Sequence, residues 1–266
     1  MYNIIQPLLE KNFIYDSYAN RIGKGTLKAI QRFDYFKRKI SKNNTKSCYI
    51  LKADIKHYFE NVNHNILINI LKSKIVDKRI IALIKTILVN YSNDKGMPLG
   101  NLTSQFFANV YLNELDQFIK HEIKAKYYIR YVDDFVIFNN SKDKLLLIKI
   151  QISLFLKKLK LELHPDKSKI IPLSQGIPFL GTKIFFYHKI IIKKNKNKFK
   201  RKYLQFTKTF TNYDQIYDFL EGWLAHIKNF NTHNQRINLL NDFQENYSQE
   251  ISSKEVNRIL KAQRKV

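Results

Sequence analysis

The sequence has little of the material that builds disulfides, flexible linkers or membrane spans. A single cysteine, Cys48, excludes an internal disulfide and a cysteine-rich zinc site, and favours a reducing compartment. Seven glycines and five prolines in 266 residues leave few flexible linkers, so we expect the parts of the chain to pack together. No stretch reaches the ~20 apolar residues of a membrane span, and the N-terminus lacks a signal-peptide pattern. We therefore expect a soluble intracellular protein.

Acidic residues are scarce as well. The chain has 22 Asp and Glu against 47 Lys and Arg, which gives a formal net charge of +25. Such an excess favours a polyanionic partner, and a phosphate backbone is the commonest polyanion. The alternative is the enrichment in Lys, Asn and Ile that AT-rich genomes produce. The hydrophobic fraction of 44% is that of an ordinary globular protein and excludes a wholly disordered chain.

The hydrophobic pattern divides the chain into three stretches. Residues 1–48 mix aromatic and basic side chains, and a basic helix is expected after Gly25. Residues 49–192 alternate short strands with longer helices. Seven of the ten residues in KKNKNKFKRK, at 193–202, are basic, and helical patterns continue from there to the C-terminus. The predicted elements are a strand at 49–55, helices within 64–91, a hairpin of strands at 127–131 and 135–138, a helix at 141–160, and two or three strands within 168–192.

Three aspartates stand at the ends of predicted apolar strands. Asp54 ends CYILKADI, and Asp133 and Asp134 occupy the turn of the hairpin YIRYVDDFVIF. Adjacent carboxylates repel one another, so holding them together is costly unless a cation lies between them. Oxygen-only ligation favours magnesium or manganese over zinc. The alternative is an ordinary turn, because Asp is a favoured turn residue.

The residues around these aspartates carry a family resemblance. YVDD at 131–134 resembles the catalytic signature of reverse transcriptases, and ADIKHYF at 53–59 is similar to their first catalytic-aspartate motif. GMPLGNLTSQFFANVYLNELD at 96–116, LELHPDKSKI at 161–170 and IPFLGTKIF at 177–185 resemble the motifs that accompany them, in the same order. Several motifs in order are far more specific than one short string.

The finer resemblance is to the reverse transcriptases of diversity-generating retroelements, which copy a template RNA into error-prone cDNA. It is carried by GNLTSQ at 100–105 and SYANRIGKGT at 17–26. Group II intron enzymes usually have Pro-Gln-Gly and Ser-Pro where this chain has Pro98-Leu99-Gly100 and Ser104-Gln105. A group II intron-like, retron or defence-associated reverse transcriptase stays open as an alternative.

The resemblance implies an α+β right-hand polymerase fold. Residues 1–48 would be a remnant of the fingers, residues 49–192 the palm with an antiparallel sheet and fingers helices at about 62–95, and residues 193–266 the helical thumb. Family members usually carry more residues before the part similar to QPLLEKNFIYDSYANR, so we expect the N-terminal part of the fingers to be missing. An inactive RNA-binding remnant is therefore a further alternative.

The resemblance also implies the catalytic residues and their cofactor. Two Mg²⁺ ions, for which Mn²⁺ can substitute, would bind at Asp54, Ile55, Asp133 and Asp134, and the three aspartates would be catalytic. Lys167 aligns with the family lysine near the leaving group, a candidate general acid. Lys169, two residues further on, is the alternative to Lys167.

Other residues are implied to bind the nucleotide and the nucleic acid. Phe59 matches the aromatic residue beneath the incoming sugar, and Leu99, Gly100 and Gln105 match the edge of the nucleotide pocket. Two basic residues, Arg21 and Lys24, would contact the phosphates of the nucleotide. Four more would contact the nucleic-acid backbone: Lys198, Lys200, Arg201 and Lys202. The alternative for all six is solvated surface charge.

The same resemblance implies the partners and the location. The partners are template RNA, the cDNA primer-template and deoxynucleoside triphosphates, and a small basic accessory protein would join them in a diversity-generating retroelement. The location would be the cytoplasm of a bacterial cell, with the gene carried by the cell, a phage or a mobile element.

Overall fold

The structure is a computed structural model, and it divides into two compact units. It describes residues 2–92, 94–98, 100, 102–209 and 213–247, together with residues 251, 256, 258, 259 and 261. The first unit comprises residues 1–175 and the second residues 176–266. This division falls inside the stretch 49–192, because the three-stranded sheet of residues 177–191 belongs to the second unit. The assignment of fingers, palm and thumb stays a prediction.

The first unit is mixed α and β, as predicted. Its helices are α1 (Tyr2–Glu10), α2 (Thr26–Ile40), α3 (Tyr58–Asn61), α4 (His64–Lys72), α5 (Lys78–Val89), α6 (Leu102–Gln117) and α7 (Lys142–Lys158). Its strands are β1 (Tyr49–Asp54), β2 (Tyr128–Tyr131), β3 (Asp134–Asn139) and β4 (Lys169–Pro172). A π-helical turn, Phe118–Glu122, extends α6.

The four strands form one antiparallel sheet in the order β2-β3-β1-β4. Four consecutive residues of β3 are buried, because helices cover both faces of the sheet. On one face Phe138 packs edge-on against Phe33 of α2, with ring centroids 4.7 Å apart. On the other face Phe135 and Ile137 join the large core shared with α6 and α7. A continuous apolar run is the expected pattern for a strand that is covered twice.

The local signals in the sequence produce the predicted elements here. Gly23 and Gly25 have positive φ of 71° and 110°, and the basic helix α2 begins directly after them. Ser141 caps α7 by accepting a hydrogen bond from the backbone N–H of Lys144 at 3.2 Å. Within α7, Leu145, Ile152 and Leu156 are buried, so this helix packs on the core as its spacing predicts.

The second unit contains a three-stranded antiparallel meander and helices. Its elements are β5 (Ile177–Phe179), β6 (Thr182–Ile184), β7 (Lys189–Ile191), α8 (Lys193–Thr209), α9 (Tyr213–Ile227) and α10 (His233–Asn246). With β4, the span 168–192 therefore holds four strands, and the prediction of two or three was too low. Strands of three residues are too short to show a clear alternation. The basic run 193–202 lies within α8.

Two features of the structure bear on the scarcity of long apolar runs and of cysteine. Among the residues described, no helix is long and apolar enough to cross a membrane. Cys48 is buried, and burial raises the pKa of its thiol to about 12, so this cysteine is an unreactive core residue.

Candidate active site

The sheet places the three aspartates at one end of neighbouring strands. Asp54, the last residue of β1, is the register partner of Asp134, the first residue of β3. Asp133 precedes β3 in the hairpin turn, and its carbonyl accepts a hydrogen bond from the backbone N–H of Ile55 at 3.3 Å. Residues 79 positions apart in the sequence are thus adjacent because β1 pairs with β3. Their catalytic role stays a prediction.

The hairpin turn is strained and is held by a buried arginine. Val132 has a φ of 55°, which a β-branched residue rarely adopts. Arg130, whose side chain is fully buried, donates from Nη1 to the carbonyl of Val132 at 3.1 Å. Such strain of order 1–3 kcal/mol persists only where the surroundings fix the backbone.

Arg130 belongs to a buried polar network that sequence reasoning missed. Its Nη2 is 2.6 Å from Asp116 Oδ2 in an ion pair with no exposed side-chain surface on either residue. The hydroxyl of Tyr128 donates to Asp116 at 2.6 Å, and Arg130 Nη1 donates to Asn109 Oδ1 at 2.9 Å. The signal was available: a charged residue inside the apolar strand YIRYV must find a partner if it is buried.

Two lysines form ion pairs with the carboxylates. Lys167 Nζ is 3.1 and 3.4 Å from the two carboxylate oxygens of Asp54. Lys52 Nζ is 3.1 Å from Asp134 Oδ1, and it lies two residues before Asp54 on β1, hence on the same face of the strand. Lys169 is exposed and forms no ion pair among the described residues. The geometry therefore favours Lys167 over Lys169 as the lysine of the site.

Burial and the repulsion between neighbouring carboxylates disfavour the charged forms of Asp133 and Asp134. Burial raises the pKa of Asp133, and the Asp54 carboxylate adds to the effect. Burial, opposed by Lys52 and reinforced by Asp54 and Asp133, raises the pKa of Asp134 to about 6. Asp134 Oδ1 is buried and accepts no well-aligned hydrogen bond, although Lys52 is near. A further cation here would relieve the repulsion between the carboxylates.

The donor set suits a hard divalent ion, since it consists of carboxylate oxygens. The side chains do not converge on one point, however. Within the described ranges, no three His, Cys, Asp or Glu side chains are close enough to hold a metal ion together. Asp54 instead turns to Lys167 and Asp134 to Lys52. The residues fit Mg²⁺ by their chemistry, and Lys167 and Lys52 hold two of the three carboxylates.

The predicted nucleotide residues are partly brought together. Phe59 is half-buried on α3, and its carbonyl accepts a hydrogen bond from the backbone N–H of Met97 at 2.8 Å. This bond ties the segment before Gly100 to the residue predicted beneath the sugar. Gly100 has a positive φ of 86° and is exposed, and Gln105 is half-buried on α6. Leu99 lies outside the described residues.

Arg21 and Lys24 have different surroundings. The guanidinium of Arg21 is engaged inside the fold, with Nε donating to Glu10 at 2.9 Å and Nη1 donating to the carbonyl of Ile14 at 2.7 Å. These contacts favour a structural role for Arg21. Lys24 lies in a pocket with Arg32 and other basic and aromatic side chains, with Nζ 3.5 Å from the centroid of the Tyr15 ring. Lys24 Nζ also donates to the carbonyl of Tyr15 at 2.8 Å, and its contact with phosphate stays a prediction.

A four-stranded antiparallel sheet with aspartates at the ends of its strands, packed between helices, is the arrangement expected of a right-hand polymerase of mixed α and β. Comparison with known proteins identifies the family. Residues 1–184 match the family model described as reverse transcriptase (RNA-dependent DNA polymerase). The chain belongs to the reverse transcriptase family.

Curated relatives agree with this assignment. The chain is 26% identical over 233 residues to protein YkfC of Escherichia coli K12, covering 72% of this chain and 59% of that protein. It is 28% identical over 204 residues to the group II intron-encoded protein LtrA of Lactococcus lactis, covering 50% of this chain and 34% of LtrA. It is 27% identical over 210 residues to the retron Ec73 reverse transcriptase of E. coli, covering 71% and 64%. The chain thus spans only part of each relative.

Solved structures confirm the fold. A truncated apo telomerase from Candida tropicalis superposes with a TM-score of 0.58 at 18% identity, covering 71% of this chain and 44% of that one. Telomerase from Candida albicans in complex with a fragment of telomeric RNA gives 0.54 at 12% identity, covering 98% and 54%. At these identities the likeness concerns the fold alone.

Proposed function

We propose that this protein is an RNA-directed DNA polymerase that extends a cDNA primer on a template RNA with deoxynucleoside triphosphates. One observation carries the proposal: the register that sets Asp54 opposite Asp134, with Asp133 in the adjoining turn, in a member of the reverse transcriptase family. Polymerases of this kind need carboxylates that can hold metal ions more than they need a protein nucleophile, because positioning and charge neutralisation supply the rate.

Two Mg²⁺ ions would be held by Asp54, Asp133 and Asp134, with the main-chain carbonyl of Ile55 as a further oxygen ligand; Mn²⁺ is an alternative ion. When bound, such ions lower the pKa of the primer hydroxyl and stabilise the charge of the leaving pyrophosphate. The repulsion among these carboxylates supports this assignment, because Asp54 and Asp133 both raise the pKa of Asp134. Asp54 and Asp134 would exchange their lysine partners for the ions.

Lys167 and Phe59 have separate parts in the proposal. Lys167 is half-exposed and touches Asp54, so its ammonium would donate a proton to the leaving pyrophosphate as the ester bond forms. Phe59 would lie beneath the incoming sugar, where its ring would collide with a ribose 2′-hydroxyl, the group that distinguishes ribonucleotides from deoxyribonucleotides. The segment 96–100, tied to Phe59 through Met97, would border the same nucleotide together with Gln105.

The proposal also covers the larger organisation. Residues 1–48 would be the fingers remnant, 49–192 the palm and 193–266 the thumb, with the exposed cations Lys198, Lys200, Arg201 and Lys202 of α8 near the nucleic-acid backbone. The protein would work in the cytoplasm, where its template RNA is found.

The finer proposal is a role in a diversity-generating retroelement. It is supported by GNLTSQ at 100–105 and by leucine at position 99, where most reverse transcriptases have glutamine. Leucine offers shape but no hydrogen bond, and a pocket of this kind discriminates between correct and incorrect nucleotides by only ~1–3 kcal/mol.

Sequencing of cDNA from the wild-type protein should show errors concentrated at template adenines, and Leu99→Gln should lower them severalfold. Equal adenine errors in both proteins would exclude Leu99 as a determinant.

Primer extension tests the polymerase itself. The full chain is mixed with a DNA primer annealed to an RNA template, Mg²⁺ and the four deoxynucleoside triphosphates. Extension to the template end is expected, with no products when ribonucleotides replace deoxynucleotides. Tight RNA binding without any extension, in Mg²⁺ or Mn²⁺, would identify an inactive RNA-binding protein.

A further inference from the structure

Helices α8 and α9 hold aromatic rings in nearly parallel planes. The ring centroids of Phe199 and Trp223 are 4.3 Å apart with their planes 5° apart, and those of Phe199 and Phe219 are 5.6 Å apart at 7°. Phe206 stacks on Phe219 at 4.8 Å and 13°. Phe199 and Trp223 are half-buried, so part of each ring remains open to solvent. Flat, partly exposed rings are the platforms on which single-stranded nucleic acids stack their bases.

Phe199, Phe219 and Trp223 border a cavity of about 450 Å³, within the size range of small-ligand sites. The cavity lies entirely in the second unit. Its lining includes two cations and no acidic residue, and consists of Asn195, Lys198, Phe199, Lys202, Phe219, Gly222 and Trp223.

Gly222 keeps the cavity open. It lies inside α9, where glycine destabilises a helix relative to alanine. A Cβ added there would meet no heavy atom within 4 Å, so neither close packing nor the backbone conformation requires glycine at this position. A larger side chain at position 222 would project into the cavity beside Trp223. Gly222 therefore lines the cavity without being required there by helix packing.

Two pairs of exposed cations on α8 differ in whether they line this cavity. Lys198 and Lys202 are one helical turn apart, are exposed, and line it. Lys200 and Arg201 are equally exposed on the same helix but do not line it. A ligand that suits this lining has a flat apolar part for the aromatic rings and a negative group for Lys198 and Lys202. A nucleotide has both parts.

We propose that this cavity binds one unpaired nucleotide of a single-stranded RNA, with the base on the face of Trp223 that Phe199 does not cover and the phosphates near Lys198 and Lys202. The choice of RNA rests on the proposed function, in which the template is RNA. A base in a duplex is already covered on both faces, so the cavity selects single strands. The site shares no residue with the three aspartates and needs no catalysis to be measured.

Trp223 reports on the site directly, because it is the single tryptophan of the sequence. The full chain is titrated with a ten-nucleotide oligouridylate, without deoxynucleotides, while tryptophan fluorescence is followed. Saturable quenching is expected, because a stacked base quenches indole emission. A blunt RNA duplex of equal phosphate concentration should quench much less.

Two sets of variants complete the test. Gly222→Leu should fill the cavity, abolish the quenching and weaken oligouridylate binding at least about fivefold, the low end of the loss of one stacked base. Lys198→Ala/Lys202→Ala should weaken binding more than Lys200→Ala/Arg201→Ala, which removes the same charge from the same helix. Thermal denaturation checks that each variant is folded.

The outcomes are distinguishable. Unchanged quenching in Gly222→Leu, or equal losses in the two double variants, would overturn the nucleotide site and leave a diffuse electrostatic contact, whether or not the protein extends primers. If Gly222→Leu does not fold, the exposed lysine pairs decide alone. Loss of primer extension with intact oligouridylate quenching would instead contradict the proposed function and leave this site standing.

Discussion

Replacing Arg130 by methionine should be among the most damaging single changes in the first unit. The guanidinium donates to Asp116 at 2.6 to 3.0 Å, to Asn109 at 2.9 Å and to the carbonyl of Val132 at 3.1 Å. Methionine keeps much of the side-chain length but none of the donors. Asp116 would remain fully buried with Tyr128 as its partner.

The expected cost follows from that arrangement. Removing one partner of a buried ion pair costs about 3–5 kcal/mol, because the other charge stays buried and uncompensated. Domains of ordinary stability have about 5–15 kcal/mol in total. The second variant, Arg130→Met/Asp116→Leu, removes both charges and should regain at least half of the lost stability. It should not regain primer extension, because the carbonyl of Val132 still lacks its donor and the turn carrying Asp133 is no longer fixed.

Hydrogen exchange of the backbone amides of β1 and β3 measures this cost within the first unit, separately from the helices of the second. A cost below 1 kcal/mol for Arg130→Met would show that the network is not what holds the hairpin. A double variant as unstable as the sum of its single changes would refute the reasoning about the unpaired charge. Restored primer extension in the double variant would show that the turn does not depend on Arg130.

Three further predictions concern the charges of the molecule. Because burial raises the pKa of Asp134 from 3.8 to about 6, the folded protein without divalent ions takes up a proton before the unfolded chain does as pH falls. Its thermal stability should therefore rise between pH 7 and pH 5 relative to Asp134→Asn, and parallel curves would contradict the raised pKa. Lys167→Ala should slow single-nucleotide incorporation about 100-fold or more with unchanged RNA affinity, whereas Lys169→Ala should not; equal rates would exclude Lys167 as the acid. Neutralising the four exposed α8 cations at 198, 200, 201 and 202 should flatten the salt dependence of single-stranded RNA binding by about 0.7 in slope per lost contact, and an unchanged slope would place the contacts elsewhere.

The strands and helices that position the site were predictable, because their signals are local. The apolar runs of β1, β2 and β3, the cap at Ser141 and the glycines around Lys24 each act within a few residues. The adjacency of Asp54 and Asp134 was predictable for a different reason. Carboxylates at the ends of apolar strands have few stable arrangements, and the family motifs supplied the pairing.

The contacts between distant side chains were not predictable in the same way. Asp116 of α6 pairs with Arg130 of β2, which lies 14 residues further along the chain, and no periodicity encodes that pairing. Lys52 could have been recognised, since it lies two residues before Asp54 on one face of a strand. The structural roles of Arg21 depend on Glu10 and Ile14 reaching it from an earlier helix and loop, so the sequence alone indicated only an exposed basic residue.

Single-nucleotide incorporation by the variant Asp133→Asn/Asp134→Asn tests the central claim most directly. Its matched control is Asp143→Asn/Glu245→Gln, which removes the same charge at exposed positions. In Mg²⁺, on a primed RNA template, the wild-type and control proteins should add the templated deoxynucleotide at similar rates. The Asp133→Asn/Asp134→Asn protein should bind the same RNA with unchanged affinity and add none. Incorporation by that protein at the control rate would contradict the assignment of these aspartates as the catalytic centre.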